Sequence, residues 1–146
     1  MMPVHHLWTS LLLAIALYPF FGIASGLAIA GGVLLDIDHY VFDYFKFKRP
    51  SLKKWYAMHK EALKTRRFKH IKNNLYIFHT IELMAIFLVL GFINRWAEII
   101  LFGIILHRLL DAIQTKHVAG EYSVCAPSII IWAHNRNQYK SREKIQ

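Results

Sequence analysis

The sequence predicts an all-α protein: an integral membrane bundle of about four short transmembrane helices, arranged as two hairpins. Three observations carry that reading. Hydrophobic residues make up 55% of the 146 residues and charged residues only 18%, below the quarter usual in a soluble domain. The apolar residues fall in long stretches, the first running from Leu7 to Leu35. The positive charge is segregated, because no Lys or Arg precedes Lys46 and eleven of the eighteen lie between Lys46 and Lys72. One membrane-embedded domain over 1–146 is expected at this length. Within it lie a basic, aromatic interfacial insert at 40–72 and a basic tail at 134–146.

The first apolar stretch runs from Leu7 to Leu35. As a single helix it would be about 43 Å long, against a hydrocarbon core of about 30 Å. It contains Tyr18-Pro19-Phe20-Phe21-Gly22, and both Pro and Gly interrupt helices. Two helices, 3–18 and 21–36, joined near Pro19 are therefore expected, with one kinked helix as the alternative. The preceding Met-Met-Pro-Val-His-His lacks the positive charge of a signal peptide, so the segment is expected to be retained. Small residues (Gly22, Ser25, Gly26, Ala30, Gly31, Gly32) fit the second helix for close packing, with Gly22 and Gly26 as a small-xxx-small pair.

From Tyr40 to Lys72 the chain is aromatic and basic. Val41, Phe42, Tyr44, Phe45 and Phe47 suit the headgroup level. Ser51–Lys64 reads as an amphipathic surface helix beginning after Pro50. Helix three is expected over Asn73–Ile93, a turn at Asn94-Arg95, and helix four over Trp96–Ile113. The apolar segment Pro127–Ala133 is too short to span and reads as a short helix on the core. There is no usable internal repeat and no low-complexity segment.

Four helices place both termini on the side of the basic loop, and the positive-inside rule makes that side cytoplasmic in a multi-pass cell-membrane protein. The opposite turns carry only Arg95. The net charge of +9 in this apolar context favours the lipid bilayer and anionic lipid headgroups over nucleic acid, at roughly 1 kcal/mol per basic residue near the surface. Lys46, Lys48, Arg49, Lys53 and Lys54 are the candidate headgroup-binding residues. Insertion preference by itself also accounts for a basic loop. The single cysteine, Cys125, excludes an intrachain disulfide framework and a Cys-based zinc site. Nothing in the sequence fixes the oligomeric state.

On the hairpin topology, the ionisable residues share a depth. His5 and His6 open helix one; Asp36, Asp38 and His39 end helix two; His79 and Glu82 lie early in helix three; His107 and Asp111 lie late in helix four. Each lies roughly 16–25 Å from its hairpin turn, near the cytoplasmic face. Intramembrane ionisable groups are costly and tend to face an interior site. His107 and Asp111, four residues apart, share a helix face, as do His79 and Glu82. Imidazole and carboxylate together suit a divalent metal, one ion or two, with zinc first and manganese or magnesium as alternatives. Singly, each residue has an ordinary reading: Asp36 and Asp38 can mark the membrane boundary, Glu82 can pair with Arg108, and His59, His70 and His134 can be solvated.

These residues also resemble a known family. An N-terminal His (His5 or His6), Leu-Leu-Asp36-Ile-Asp38-His39 after a small-residue helix, His79, and His107-x-x-x-Asp111 resemble the YdjM-like family of predicted membrane-bound metal-dependent hydrolases, over roughly 5–39 and 74–130. Leu35 stands where that family usually has Pro, and Tyr76-Ile77-Phe78 where it often has an Arg-Gly approach. In addition, His107-x3-Asp111-x5-His117 is similar to a ligand run in zinc-dependent phospholipase C. That similarity would imply a phosphoester substrate and make His117 a ligand.

The expected function is a metal-dependent hydrolase at the cytoplasmic membrane face, acting on a small or lipid-like phosphoester. Asp36 or Asp38 would orient the attacking water or accept its proton. Two alternatives come from other classes: a non-catalytic metal-binding transporter or sensor, and a membrane anchor docking a partner through the basic loop. The near absence of polar residues by Pro19 and Asn94 weighs against a transport path.

Overall fold

The computed structural model describes residues 3–48, 51–65, 74–120 and 125–135, and no strand occurs among them. Its helices are α1 (Pro3–Phe21), α2 (Leu27–Val33), α3 (Ile37–Phe47), α4 (Leu52–Thr65), α5 (Ile81–Gly91) and α6 (Arg95–Ala119). A further short helix, α7, covers 129–135. Arg49, His70 and the tail beyond 135 lie outside the described residues.

The first reversal falls at Gly22, not at Pro19. Pro19 stays inside α1, in its last turn. Gly22 has φ +58°, a left-handed conformation that costs a side-chain-bearing residue about 1–2 kcal/mol. A 3-10 turn, Gly22–Gly26, then leads into α2. The run Val4–Phe45 is the one helical run among the described residues long and apolar enough to cross a membrane. Packing across the turn shows that it folds back: a Cβ at Gly32 would lie 1.8 Å from Ser10 Oγ on α1.

The small residues work in α2 and α6, not at the Gly22/Gly26 pair, which has no neighbour within 4 Å of its added Cβ positions. A Cβ on Gly31 would sit 2.2 Å from the Ile100 carbonyl oxygen, and one on Gly103 2.2 Å from that of Ala28. Bare backbone on each side lets α2 and α6 touch.

A second 3-10 turn, Leu34–Asp36, precedes α3. The aromatic stretch expected at the interface is thus a continuous helix, stopped at Lys48 in a left-handed conformation with φ 49°. α4 matches the predicted amphipathic helix within a residue. Its buried Trp55 donates from Nε1 to Asp43 Oδ2 on α3 at 3.0 Å, which holds α4 against α3.

Helix three begins eight residues later than expected, at Ile81. The preceding stretch is pinned instead by the C-terminal segment: Ala126 N–H donates to Asn74 O (2.9 Å) and Ile81 N–H to Pro127 O (3.0 Å). Asn74, Tyr76, His79 and Thr80 are all buried there. α5 alone is only about 16 Å long. Helix four runs six residues further than expected, to Ala119, where Gly120 (φ 76°) caps it. Asn94 is its N-cap, accepting from Trp96 N–H at 2.9 Å.

The two hairpin tips meet. Arg95 donates to the Phe20 carbonyl at 3.0 Å and lies 4.7 Å from the centre of the Phe21 ring, so its charge also compensates the negative end of α1. The outer faces stay apolar: Leu12 is 65% exposed, Ile23 93% and Phe92 83%, and α5 has no buried residue. Exposed apolar surface on this scale marks a surface meant for lipid or a partner.

Candidate metal centre

At the end opposite those tips, α1, the α2–α3 junction, the turn before α5 and α6 deliver histidine and aspartate to one point. The 3-10 turn Ile77–His79 aims His79 inward, and the Thr80 hydroxyl, donating to Ile77 O at 2.9 Å, braces it. His107 and Asp111, one turn apart on α6, face the same way.

Both central histidines have their outer nitrogen committed. His107 Nδ1 donates to the Gly32 carbonyl at 2.7 Å. His79 Nδ1 donates to Asp38 Oδ2 at 3.4 Å. Neutral rings so held present bare Nε2 lone pairs, and these two Nε2 atoms face each other at 3.1 Å. Facing lone pairs need a proton or a cation between them.

Two carboxylate oxygens complete the set. His107 Nε2 lies 3.2 Å from Asp111 Oδ2 and 3.7 Å from Asp36 Oδ1. His79 Nε2 lies 3.7 Å from Asp111 Oδ2 and 4.0 Å from Asp36 Oδ1. Ligands about 2.0–2.2 Å from a tetrahedral ion are separated by about 3.3–3.6 Å. The five edges that run to the two histidine nitrogens or between them, 3.1–4.0 Å, bracket that range. His6, fully buried, stacks on His107 with ring centres 3.8 Å apart and reaches Asp111 Oδ1 from Nε2 at 3.1 Å.

The other expected site residues divide. His6, not His5, is the N-terminal member, since His5 is exposed on the adjacent face of α1. Asp38 stands behind His79, accepting also from Phe78 N–H at 2.8 Å, so it orients a ligand instead of facing the four-atom set. His39 lies beside this pair, stacked on Tyr76 with centres 3.7 Å apart, and shares a potential ligand group with Asp38 and His79. Glu82 is not in the cluster and does not pair with Arg108: it accepts from the Ser128 hydroxyl and from Ile130 N–H, which ties α5 to α7. His117 is exposed, six residues and about 240° round the helix from Asp111. Lys48, Lys53 and Lys54 are exposed. Lys46 lies in the last turn of α3.

Sequence reasoning missed the supports. The Gly32 carbonyl has no side-chain signal at all. The Asp43–Trp55 pair was legible only as one acidic residue in a basic stretch and one tryptophan on an amphipathic helix. His59, expected to be solvated, has its ring 6.1 Å from that of His39.

Comparison with known families, with characterised proteins and with solved structures finds no match to this chain.

Proposed function

We propose that this chain is a membrane-embedded, metal-dependent hydrolase of the YdjM-like kind, acting on a phosphoester or phospholipid-like substrate at the cytoplasmic face. The observation that carries the reading is the four-donor set of His79, His107, Asp36 and Asp111, with both histidines oriented by partners on their outer nitrogens. A divalent ion held by these residues would supply Lewis acidity toward a water and a phosphoryl oxygen. The chain's own part is to fix that ion and exclude competing solvent. Of the two aspartates that could handle the water, Asp38 accepts from both His79 Nδ1 and Phe78 N–H on Oδ2, and its Oδ1 is buried without a hydrogen-bond partner. Asp36 keeps one oxygen, Oδ2, buried and without a hydrogen-bond partner.

The proposed topology is four passes in two hairpins, with both termini cytoplasmic. It is supported by the exposed apolar belt and by the separation of the cluster from the Arg95 end. α5 is short for a pass, and residues 74–80 continue its path. Non-helical backbone is tolerated at membrane depth where protein buries it, as it does around Tyr76 and Thr80. α4 sits beside the cluster through Trp55 and His59, so exposed Lys53 and Lys54 lie at the same end, placed to attract an anionic headgroup.

The test is metal analysis of detergent-purified protein, with hydrolysis assayed on a chromogenic phosphodiester and on anionic phospholipid vesicles. Wild type should carry at least one divalent ion per chain, and His107→Ala should lose it together with turnover. Full metal occupancy in His107→Ala would overturn the assignment.

A further inference from the structure

We infer that the centre holds a second ion, bridged to the first by Asp111, with His6 as its terminal ligand. This inference rests on the metal-centre reading above and extends it. Asp111 divides its oxygens between two histidines: Oδ2 lies 3.2 Å from His107 Nε2, and Oδ1 lies 3.1 Å from His6 Nε2. Each pair has the edge length of two ligands on one ion. A carboxylate with an imidazole at each oxygen has the form of a bridge between two cations.

The ring stack sets the spacing. His6 and His107 lie 3.8 Å apart at 19°. Nearly parallel imidazoles that each reach one oxygen of the same carboxylate hold their ions about one stacking distance apart. Two-metal hydrolytic sites use about 3.5–4 Å. The cluster also holds a carboxylate oxygen that no hydrogen bond takes up. Asp36 contributes Oδ1 to the first set, while its Oδ2 is buried and unpartnered, a costly state for a carboxylate oxygen unless a cation takes it up. His6 is itself fully buried. A histidine that only oriented Asp111 would also give the 3.1 Å contact, and the metal count separates the two roles.

The experiment is a metal count on the full-length, detergent-purified chain, reconstituted with Zn²⁺ or Mn²⁺. The inference expects two ions per chain in wild type and one in His6→Ala. With Mn²⁺, wild type should give the multiline electron paramagnetic resonance spectrum of a coupled pair, and His6→Ala the six-line spectrum of an isolated ion. His6→Gln keeps a hydrogen-bond donor toward Asp111 and guards against a folding defect; it too should hold one ion. One ion in both wild type and variants overturns the second position and leaves the first intact. Two ions in both variants overturn the role of His6. No ion in wild type removes the metal-centre reading itself.

Discussion

Gly103→Ala tests whether helix contact and site geometry are one property. The new Cβ would lie 2.2 Å from the Ala28 carbonyl oxygen and 2.9 Å from Gly32 N. Both are backbone atoms, so no side chain can swing away. Restoring an ordinary C···O contact of about 3.3 Å requires α2 and α6 to part by about 1 Å. His107 lies one turn further along α6, and its 2.7 Å bond to the Gly32 carbonyl would open to about 3.7 Å, beyond hydrogen-bond range. The 3.7 Å approach of Asp36 to His107 would widen with it. Loss of such an orienting partner typically lowers metal affinity about ten- to hundredfold, or about 1.4–2.7 kcal/mol. Overpacking costs about 1–3 kcal/mol of stability, partly offset because Ala favours helix over Gly by about 1 kcal/mol. The variant should therefore fold but bind Zn²⁺ weakly, as measured by chelator competition on detergent-purified protein alongside circular dichroism. Gly91→Ala is the control: its Cβ would meet Glu98 at 3.4 Å or more, an ordinary contact, and affinity should be unchanged. A folded Gly103→Ala protein with wild-type affinity would refute the reasoning.

Other outcomes follow from the same contacts. Asp38→Asn weakens the hold on His79 Nδ1 and should lower Zn²⁺ affinity about ten- to hundredfold without emptying the site at saturating metal, as titration calorimetry would show. His5→Ala, His117→Ala and Glu82→Gln should each retain wild-type metal content, because none of these side chains reaches the cluster. Gly22→Ala should lower the thermal midpoint through about 1–2 kcal/mol of left-handed strain, whereas Pro19→Ala should not lower it. Trp55→Phe removes the donor to buried Asp43, at about 1–3 kcal/mol, and should speed proteolysis at Lys53 and Lys54 before the rest of the chain is cut.

Much of the site was legible because helix pitch converts sequence distance into depth. His79, His107 and Asp111 could be placed in one layer from their distance to the hairpin turns alone. Sequence spacing cannot choose between adjacent residues, however. His5 and His6 differ by about 100° on one helix, and only the packing of α1 on α6 turns His6 inward. Asp36 and Asp38 read as equivalent until the 3-10 turn puts the first at the ligand set and the second behind His79. The turn falls at Gly22 and not at Pro19 because its positive φ all but demands glycine. α5 starts later than helical periodicity suggests because Ala126 and Pro127, some fifty residues away, take the hydrogen bonds that a helix over 74–80 would have used.

The contact between His6 and Asp111 joins residues 105 positions apart. A metal at that contact would act as a cross-link as well as a reagent. Closing a loop of this length removes conformational entropy from the unfolded chain worth on the order of 4–5 kcal/mol in the chain-entropy picture. That is comparable to the whole stability of a small domain. α1 would then be fastened at both ends, by Arg95 at one and by the ion at the other. Withdrawing the ion would free the end of α1 that carries the ligand and leave its Arg95 end in place.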